Sequence, residues 1–364
     1  MQWTQNPEID MFRDCHPERS AQHVVEGSGN AVLQVQNLSV AFGFDKKGNP
    51  RDGIKPLQVT DRVSFDIRTG EFFALVGESG CGKSVTAMSI LRLLPQPSAQ
   101  IVEGSVLYRA SEDAAPIDLA KLPLADLQKV RGSEISCIFQ EPMQALNPVV
   151  TIKKQLMEVF KFCKHSKGGF MTVIREMLAL AGFKDVNRVL DAYPHELSGG
   201  MLQRVCIVMA LLSKPKLIIA DEPTTALDVT VQAQVLAVLK DMANRMGTAV
   251  LLITHNMGIV SQYADRVAVM YAGRIVETGA VRDVIDSPMH PYTQGLLAAI
   301  PENHSDMRTM KSIPGSVPHP RDFAKGCRFA DRCEKCSEQC RSDELPPKQK
   351  APDSENHEAN CFLL

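Results

Sequence analysis

Apolar residues along this chain gather into short unbroken runs, each closed by glycine, proline or charge. Phe72–Val76, Leu217–Ala220 and Ala249–Thr254 are runs of this kind, and their length and flanks predict strands buried on both faces. A strand-like run opens at Ala31 (AVLQVQNLSVAF), and the pattern returns at Leu57–Ile67. Between them Asp45–Pro56 is a turn-rich insertion with Gly48, Pro50 and Gly53. A helix is predicted from Lys83 to about Leu94, and Thr151–Leu180 and Met201–Leu212 read as further helices. Val231, Val235, Leu239 and Met242 recur at helical spacing, and Gly247 supplies the stop. Strands alternating with helices predict a mostly parallel sheet with helices on its faces. The helices between 145 and 213 predict a helical subdomain inserted into that α/β core. Residues 1–30 are polar without periodicity and read as a mobile extension. Beyond about residue 290 proline becomes frequent, sheet patterns vanish and cysteines appear, which places a boundary there. No internal repeat is visible.

Composition narrows the classes. The 364 residues are 44% hydrophobic and 23% charged, enough for a sizeable soluble core. The longest apolar run, Val205–Leu212, is far shorter than the ~20 residues a membrane helix needs. The amino terminus has no basic segment followed by an apolar one, so a cytoplasmic location is expected. A net charge of −2 and no basic stripe weigh against nucleic acid as a partner. Ten cysteines are many for a reducing compartment, and Cys327, Cys333, Cys336 and Cys340 crowd together, which asks for a metal-type explanation rather than disulfides.

The chemistry begins at GESGCGKS, residues 77–84, which fits the phosphate-loop pattern in full between a predicted strand and a predicted helix. Gly77, Gly80 and Gly82 let the backbone curl so that its N–H groups face a phosphate, with Glu78, Ser79, Cys81 and Val85 completing the cradle at the helix start. Lys83 reaches the β and γ phosphates and Ser84 coordinates Mg²⁺. Cys81 reads either as an ordinary small residue of the loop or as a thiol beside the phosphates whose alkylation would block binding. Asp221, closing the Leu217–Ala220 run, is placed to hold Mg²⁺, and Glu222 to polarise an attacking water. Leu197–Met201 (LSGGM) is a second glycine pair opening a helix. It reads as a phosphate-contacting surface with no triphosphate of its own, which suggests two such chains sandwiching ATP.

The order GESGCGKS, Gln140, LSGGM, LIIADEP, Ala226-Leu227-Asp228 and His255 resembles the ATP-binding subunits of ABC transporters over roughly residues 31–280. The resemblance implies a P-loop NTPase (RecA-like) core with an antiparallel β subdomain and an inserted helical subdomain. It divides the chain into residues 1–30, an ATP-binding domain over 31–285 and a cysteine-rich extension over 286–364. It makes Ser198, Gly199, Gly200 and Met201 the signature motif acting on ATP held by a partner. Gln140 becomes the contact to metal and water, His255 the γ-phosphate switch and Asp228 a bridge between the two domains. Phe42 becomes the adenine-stacking residue, with Phe44 the alternative. Leu202 departs from the family pattern, where many relatives place a charge.

The tail, from Ser287-Pro288-Met289-His290-Pro291-Tyr292-Thr293 and a short helix through Ile300 to Gly326-Cys327-Arg328-Phe329, resembles that of peptide and nickel importers. It implies Cys327, Cys333, Cys340 and Cys361 as ligands of a [4Fe–4S] cluster, with Cys336 as the alternative ligand. Zinc is the rival, since Cys333-x-x-Cys336 is a common zinc half-site. The implied partners are a second homologous ATP-binding subunit, two membrane-embedded permease subunits and an extracytoplasmic substrate-binding protein, with the chain peripheral at the cytoplasmic face of the membrane. Competing readings are a nickel or metal-chelate importer, an ABC ATPase working on DNA or ribosomes, and a non-enzymatic ATP-binding regulator.

Overall fold

The computed structural model describes residues 31–51, 55–162, 169–225, 227–300, 313–352 and 354–364. The expected amino-terminal extension and Ala226 lie outside the described residues. In chain order come β1 (Ala31–Phe42), β2 (Leu57–Arg68), β3 (Phe72–Val76), α1 (Lys83–Ile90), β4 (Ala99–Tyr108), β5 (Ile117–Asp118), α2 (Leu124–Val130) and β6 (Ile135–Ile138). A helical stretch follows with α3 (Pro142–Ala145), α4 (Ile152–Phe162), α5 (Phe170–Leu180), α6 (Val186–Asp191) and α7 (Gly199–Leu211). The chain then runs through β7 (Leu217–Asp221), α8 (Val229–Met246), β8 (Ala249–Thr254), α9 (Met257–Tyr263), β9 (Arg266–Tyr271), β10 (Arg274–Ala280), α10 (Val281–Asp286), α11 (Pro291–Ala298), β11 (Lys348–Ala351) and β12 (Ser354–Asn360).

Among the described residues these strands form two sheets. The smaller is antiparallel, in the order β2-β1-β4-β5. The larger runs β11-β12-β10-β9-β3-β8-β7-β6, and β9, β3, β8, β7 and β6 within it are parallel. All five residues of β3 are buried, which its unbroken apolar run requires. Alternate residues then serve different faces. Phe73 and Leu75 pack with Leu33, Val63 and Val106 of the smaller sheet. Phe72 packs with Ile218, Val250 and the helical residues Leu202, Val205 and Leu236. Ala74 and Val76 belong to a third cluster containing Tyr271, Tyr292 and Phe329, so apolar packing joins the sheet to segments beyond residue 290. No described helix is long and apolar enough to cross a membrane.

Two expectations need correction. The first helix ends at Ile90 instead of near Leu94: Arg92 turns left-handed (φ 52°), and Pro95 follows. The loss of sheet beyond residue 290 is also wrong, because β11 and β12 form a hairpin that pairs with β10 through Glu277↔Ala359 and Thr278↔Glu358. The hairpin carries KQKA and SENHEAN, with no apolar alternation to announce it. What seats it is a buried polar pair: His357 Nε2 lies 2.8 Å from Glu277 Oε1, and the Glu277 carboxylate also accepts the N–H groups of Met289 and His290 at 2.8 Å each.

Candidate active site

The parallel strands bring their carboxyl ends into one row, where open α/β sheets bind ligands. Val76 pairs with Thr254, Asp221 with Ile253 and Ile138 with Ala220. The residues just beyond these ends are therefore Gly77, His255, Glu222 and Gln140. The sheet register alone gathers them from across the chain.

The phosphate loop leaves β3 at Gly77. A Cβ there would lie 2.1 Å from the Met270 carbonyl oxygen, and φ is 155°, so only glycine fits. Gly82 caps α1 at φ 106°. Lys83 Nζ donates to the carbonyl oxygens of Gly77 at 2.8 Å and Glu78 at 3.0 Å, which spans the loop with a buried ammonium. Ser84 Oγ donates to Asp221 Oδ1 at 3.0 Å. A hydroxyl and a carboxylate meeting at the mouth of the loop are the oxygen donors that Mg²⁺ takes, so these residues fit the ion. Burial, and next the charge of Glu222, raise the Asp221 carboxyl above its ordinary value, against the Ser84 hydrogen bond and Lys83. Cys81 is fully buried and burial raises its thiol pKa, which disfavours the alkylation its position suggests.

Glu222 adopts a left-handed backbone, φ 44°, a strained conformation for a residue with a side chain and common at functional sites. Its N–H donates to the Ile253 carbonyl at 3.0 Å. Thr225 Oγ1 donates to Oε2 at 2.9 Å, and His255 Nδ1 lies 3.2 Å from Oε1. Burial pushes the Glu222 carboxyl up, but the contacts from His255 and Thr225 outweigh it, so its pKa is lowered and the group is a carboxylate at neutral pH. His255 keeps an exposed side chain beside it. Gln140 is exposed and makes no hydrogen bond among the described residues. Phe44 is buried at 7% exposure, whereas Phe42 is half-buried and pairs with Leu57 on the strand whose Thr60 abuts Gly82. Of the two, Phe42 is the more exposed.

Ser198 caps α7, its hydroxyl accepting from the Met201 N–H at 3.4 Å. Ser198 and Gly199 are exposed, and Gly200 is buried where a Cβ would meet Val231 at 2.5 Å. Leu202, the departure from the family pattern, is core. Asp228 caps α8 through Val231 N–H at 3.0 Å and is itself exposed. Among the described residues no hydrogen bond or ion pair links Ser198–Met201 to the phosphate loop.

Comparison with known proteins settles the class. A profile described as "ABC transporter" matches residues 60–225, and one described as "Oligopeptide/dipeptide transporter, C-terminal region" matches residues 276–340. The oligopeptide transport ATP-binding protein AppD of Bacillus subtilis is 46% identical over 85% of this chain and 91% of its own length. This chain belongs to the ABC transporter ATP-binding subunits. The dipeptide transport ATP-binding protein DppD of the same organism is 44% identical over 91% of the ABC subunit described here and 94% of its own length. Among solved structures, a dimeric ATP-binding cassette in a post-hydrolysis state with ADP and Pi matches with a TM-score of 0.57 and 25% identity, over 69% of this chain and 99% of that one. The subunit is an ATPase.

In this ABC subunit the tail thiols are neighbours. Burial first, then the nearby Cys340, Cys361 and Cys333, push Cys327 up to about 11. Cys333 is raised by burial and by Cys336, Cys340 and Cys361. Yet among the described residues no three His, Cys, Asp or Glu side chains are arranged to hold a metal ion. The donor chemistry suits a cluster, and the arrangement of the thiols does not, so no step is routed through one. The sequence reading missed Thr225, Tyr292 and Arg332. Thr225 was findable, three residues beyond Glu222 in DEPTT; Tyr292 lies in the quoted tail motif without its contact to the loop being legible, and nothing local marks Arg332.

Proposed function

We propose that this subunit energises import of di- and oligopeptides by hydrolysing ATP at the β3, β7 and β8 strand ends. The row Gly77, Glu222, His255 and Gln140, together with peptide-transport relatives matched along nearly their whole length, carries the reading. Lys83 and the loop N–H groups hold the β and γ phosphates, and Phe42 stacks on adenine. Ser84 and Asp221, with Gln140, would hold Mg²⁺, which would supply positive charge against the phosphates. Glu222 accepts the proton of the attacking water, Thr225 fixes its carboxylate, and His255 contacts the γ-phosphate. Ser198, Gly199, Gly200 and Met201 act on nucleotide bound by a second homologous ATP-binding subunit, with Asp228 beside that interface. Two permease subunits and an extracytoplasmic binding protein complete the system, with this chain peripheral at the cytoplasmic face. Residues 31–285 act as the ATP-binding unit, and 286–364 as an extension seated on it through β12 and Phe329.

Deleting this subunit is expected to abolish uptake of short peptides, with the wild-type chain restoring it. Loss of nickel uptake with peptide uptake intact would favour the metal importer, and salt-dependent nucleic-acid binding would favour a non-transport ATPase.

Cys327, Cys333, Cys340 and Cys361 are proposed to take a [4Fe–4S] cluster, which needs their side chains to converge. Anaerobically purified protein is then expected to carry iron and sulfide and to be coloured, and Cys327→Ser to lose both. Colourless, iron-free protein overturns the cluster, and one zinc per chain moves the assignment to zinc.

A further inference from the structure

The phosphate loop is gripped by residues remote from it in sequence. The Glu78 N–H donates to Tyr292 Oη at 2.9 Å. The Glu78 carboxylate receives Arg332 in a two-pronged pair, Nη1 to Oε2 at 2.7 Å and Nη2 to Oε1 at 3.0 Å. Arg332 is itself 9% exposed and fixed on every side. Its Nε donates to the Pro314 carbonyl at 2.7 Å, Nη2 also to the Gly315 carbonyl at 3.3 Å, and Nη1 to Tyr271 Oη at 3.3 Å. The guanidinium lies 5.6 Å from the Tyr271 ring centre. Tyr271 meets Tyr292 and Phe329 edge-on, and Tyr292 and Phe329 are tilted against each other, with centroids 4.6 to 5.3 Å apart. Arg332 closes a single 3-10 turn, Ala330–Arg332, between Cys327 and Cys333.

Charge gives this contact its meaning. Glu78 puts a carboxylate into the loop that must receive a polyphosphate of the same sign. Lys83 cannot serve both, because its ammonium already spans the Gly77 and Glu78 carbonyls and is the group aimed at phosphate. A guanidinium fork neutralises the carboxylate and fixes its direction, which a lysine would do only partly. Exposed ion pairs contribute little, but this one joins a buried arginine to a half-buried glutamate, so its charges are less screened than those of a surface pair.

We propose that Arg332 is a positioning residue for ATP: by cancelling and orienting Glu78 it makes the carboxyl-terminal segment set the ATP affinity of the phosphate loop. The inference rests on the loop being the ATP site, and failure of that reading shows separately, as absence of ATPase in the wild-type complex.

The test is ATPase of the assembled transporter against ATP concentration. Arg332→Met is expected to raise KM for ATP about 10-fold, the loss of one charged hydrogen-bonded contact, with kcat within about twofold. Arg332→Lys is expected to raise KM less. Adding Glu78→Gln to Arg332→Met removes the uncompensated carboxylate and is expected to recover most of the KM. A purely architectural arginine gives a different result: the double variant stays as impaired as the single one, or kcat falls while KM holds. Either outcome overturns the proposal, as does unchanged KM in both the Met and Lys variants. Should Arg332→Met fail to assemble, Arg332→Lys with and without Glu78→Gln makes the same comparison.

Discussion

Lys83→Met is expected to abolish measurable ATP binding by the subunit. The ammonium is buried and donates to the Gly77 and Glu78 carbonyls at 2.8 and 3.0 Å. Those contacts hold it at the loop's centre, ready to exchange carbonyl oxygens for phosphate oxygens. Each hydrogen bond to a charged group contributes roughly 1.5–3 kcal/mol, so losing two weakens binding at least ~100-fold. Methionine keeps the length and most of the volume, so the α1 packing survives. Nucleotide titration checks the effect, with a thermal melt to confirm folding. Binding within a few-fold of wild type would remove Lys83 from the site.

Glu222→Gln is expected to act at the opposite step. The amide is nearly the same shape as the carboxylate and keeps an oxygen to accept from Thr225, so the strained backbone at φ 44° stays occupied as before. What disappears is the proton acceptor. Single-turnover hydrolysis should fall ~10²–10⁴-fold, the usual contribution of a positioned general base. ATP binding should persist, and a closed two-subunit form should accumulate with ATP and dissociate slowly. Turnover equal to wild type would refute the role, and lost binding would indicate damage to the Ser84–Asp221 pair next to it.

The two variants bracket what the sequence made legible. Residues at strand ends could be read, because an apolar run such as Phe72–Val76 or Leu217–Ala220 ends where its register places the next residue at the row of carboxyl ends. The loop glycines were legible through their spacing. Strands whose burial comes from pairing were not. β6 is only Ile135–Ile138, too short to assert a period, and β4 mixes Ala99, Glu103 and Gly104 with its apolar positions. β11 and β12 are mostly polar and exist because Glu277 and His357 find each other across the sheet edge. Arg332 was beyond reach for the same reason: an ion pair between Glu78 and Arg332 leaves no trace in the neighbourhood of either residue.

The separation of Glu78 from Arg332 also orders events in time. Synthesis proceeds from the amino terminus at about 5–20 residues per second, and early segments begin to fold as they emerge. The phosphate loop is therefore made on the order of tens of seconds before the arginine that pairs with Glu78. Through that interval Glu78 has no Arg332 to pair with. The contact that orients Glu78 therefore forms only after residue 332 has been made, and a chain that stops short of it leaves the phosphate loop without that partner.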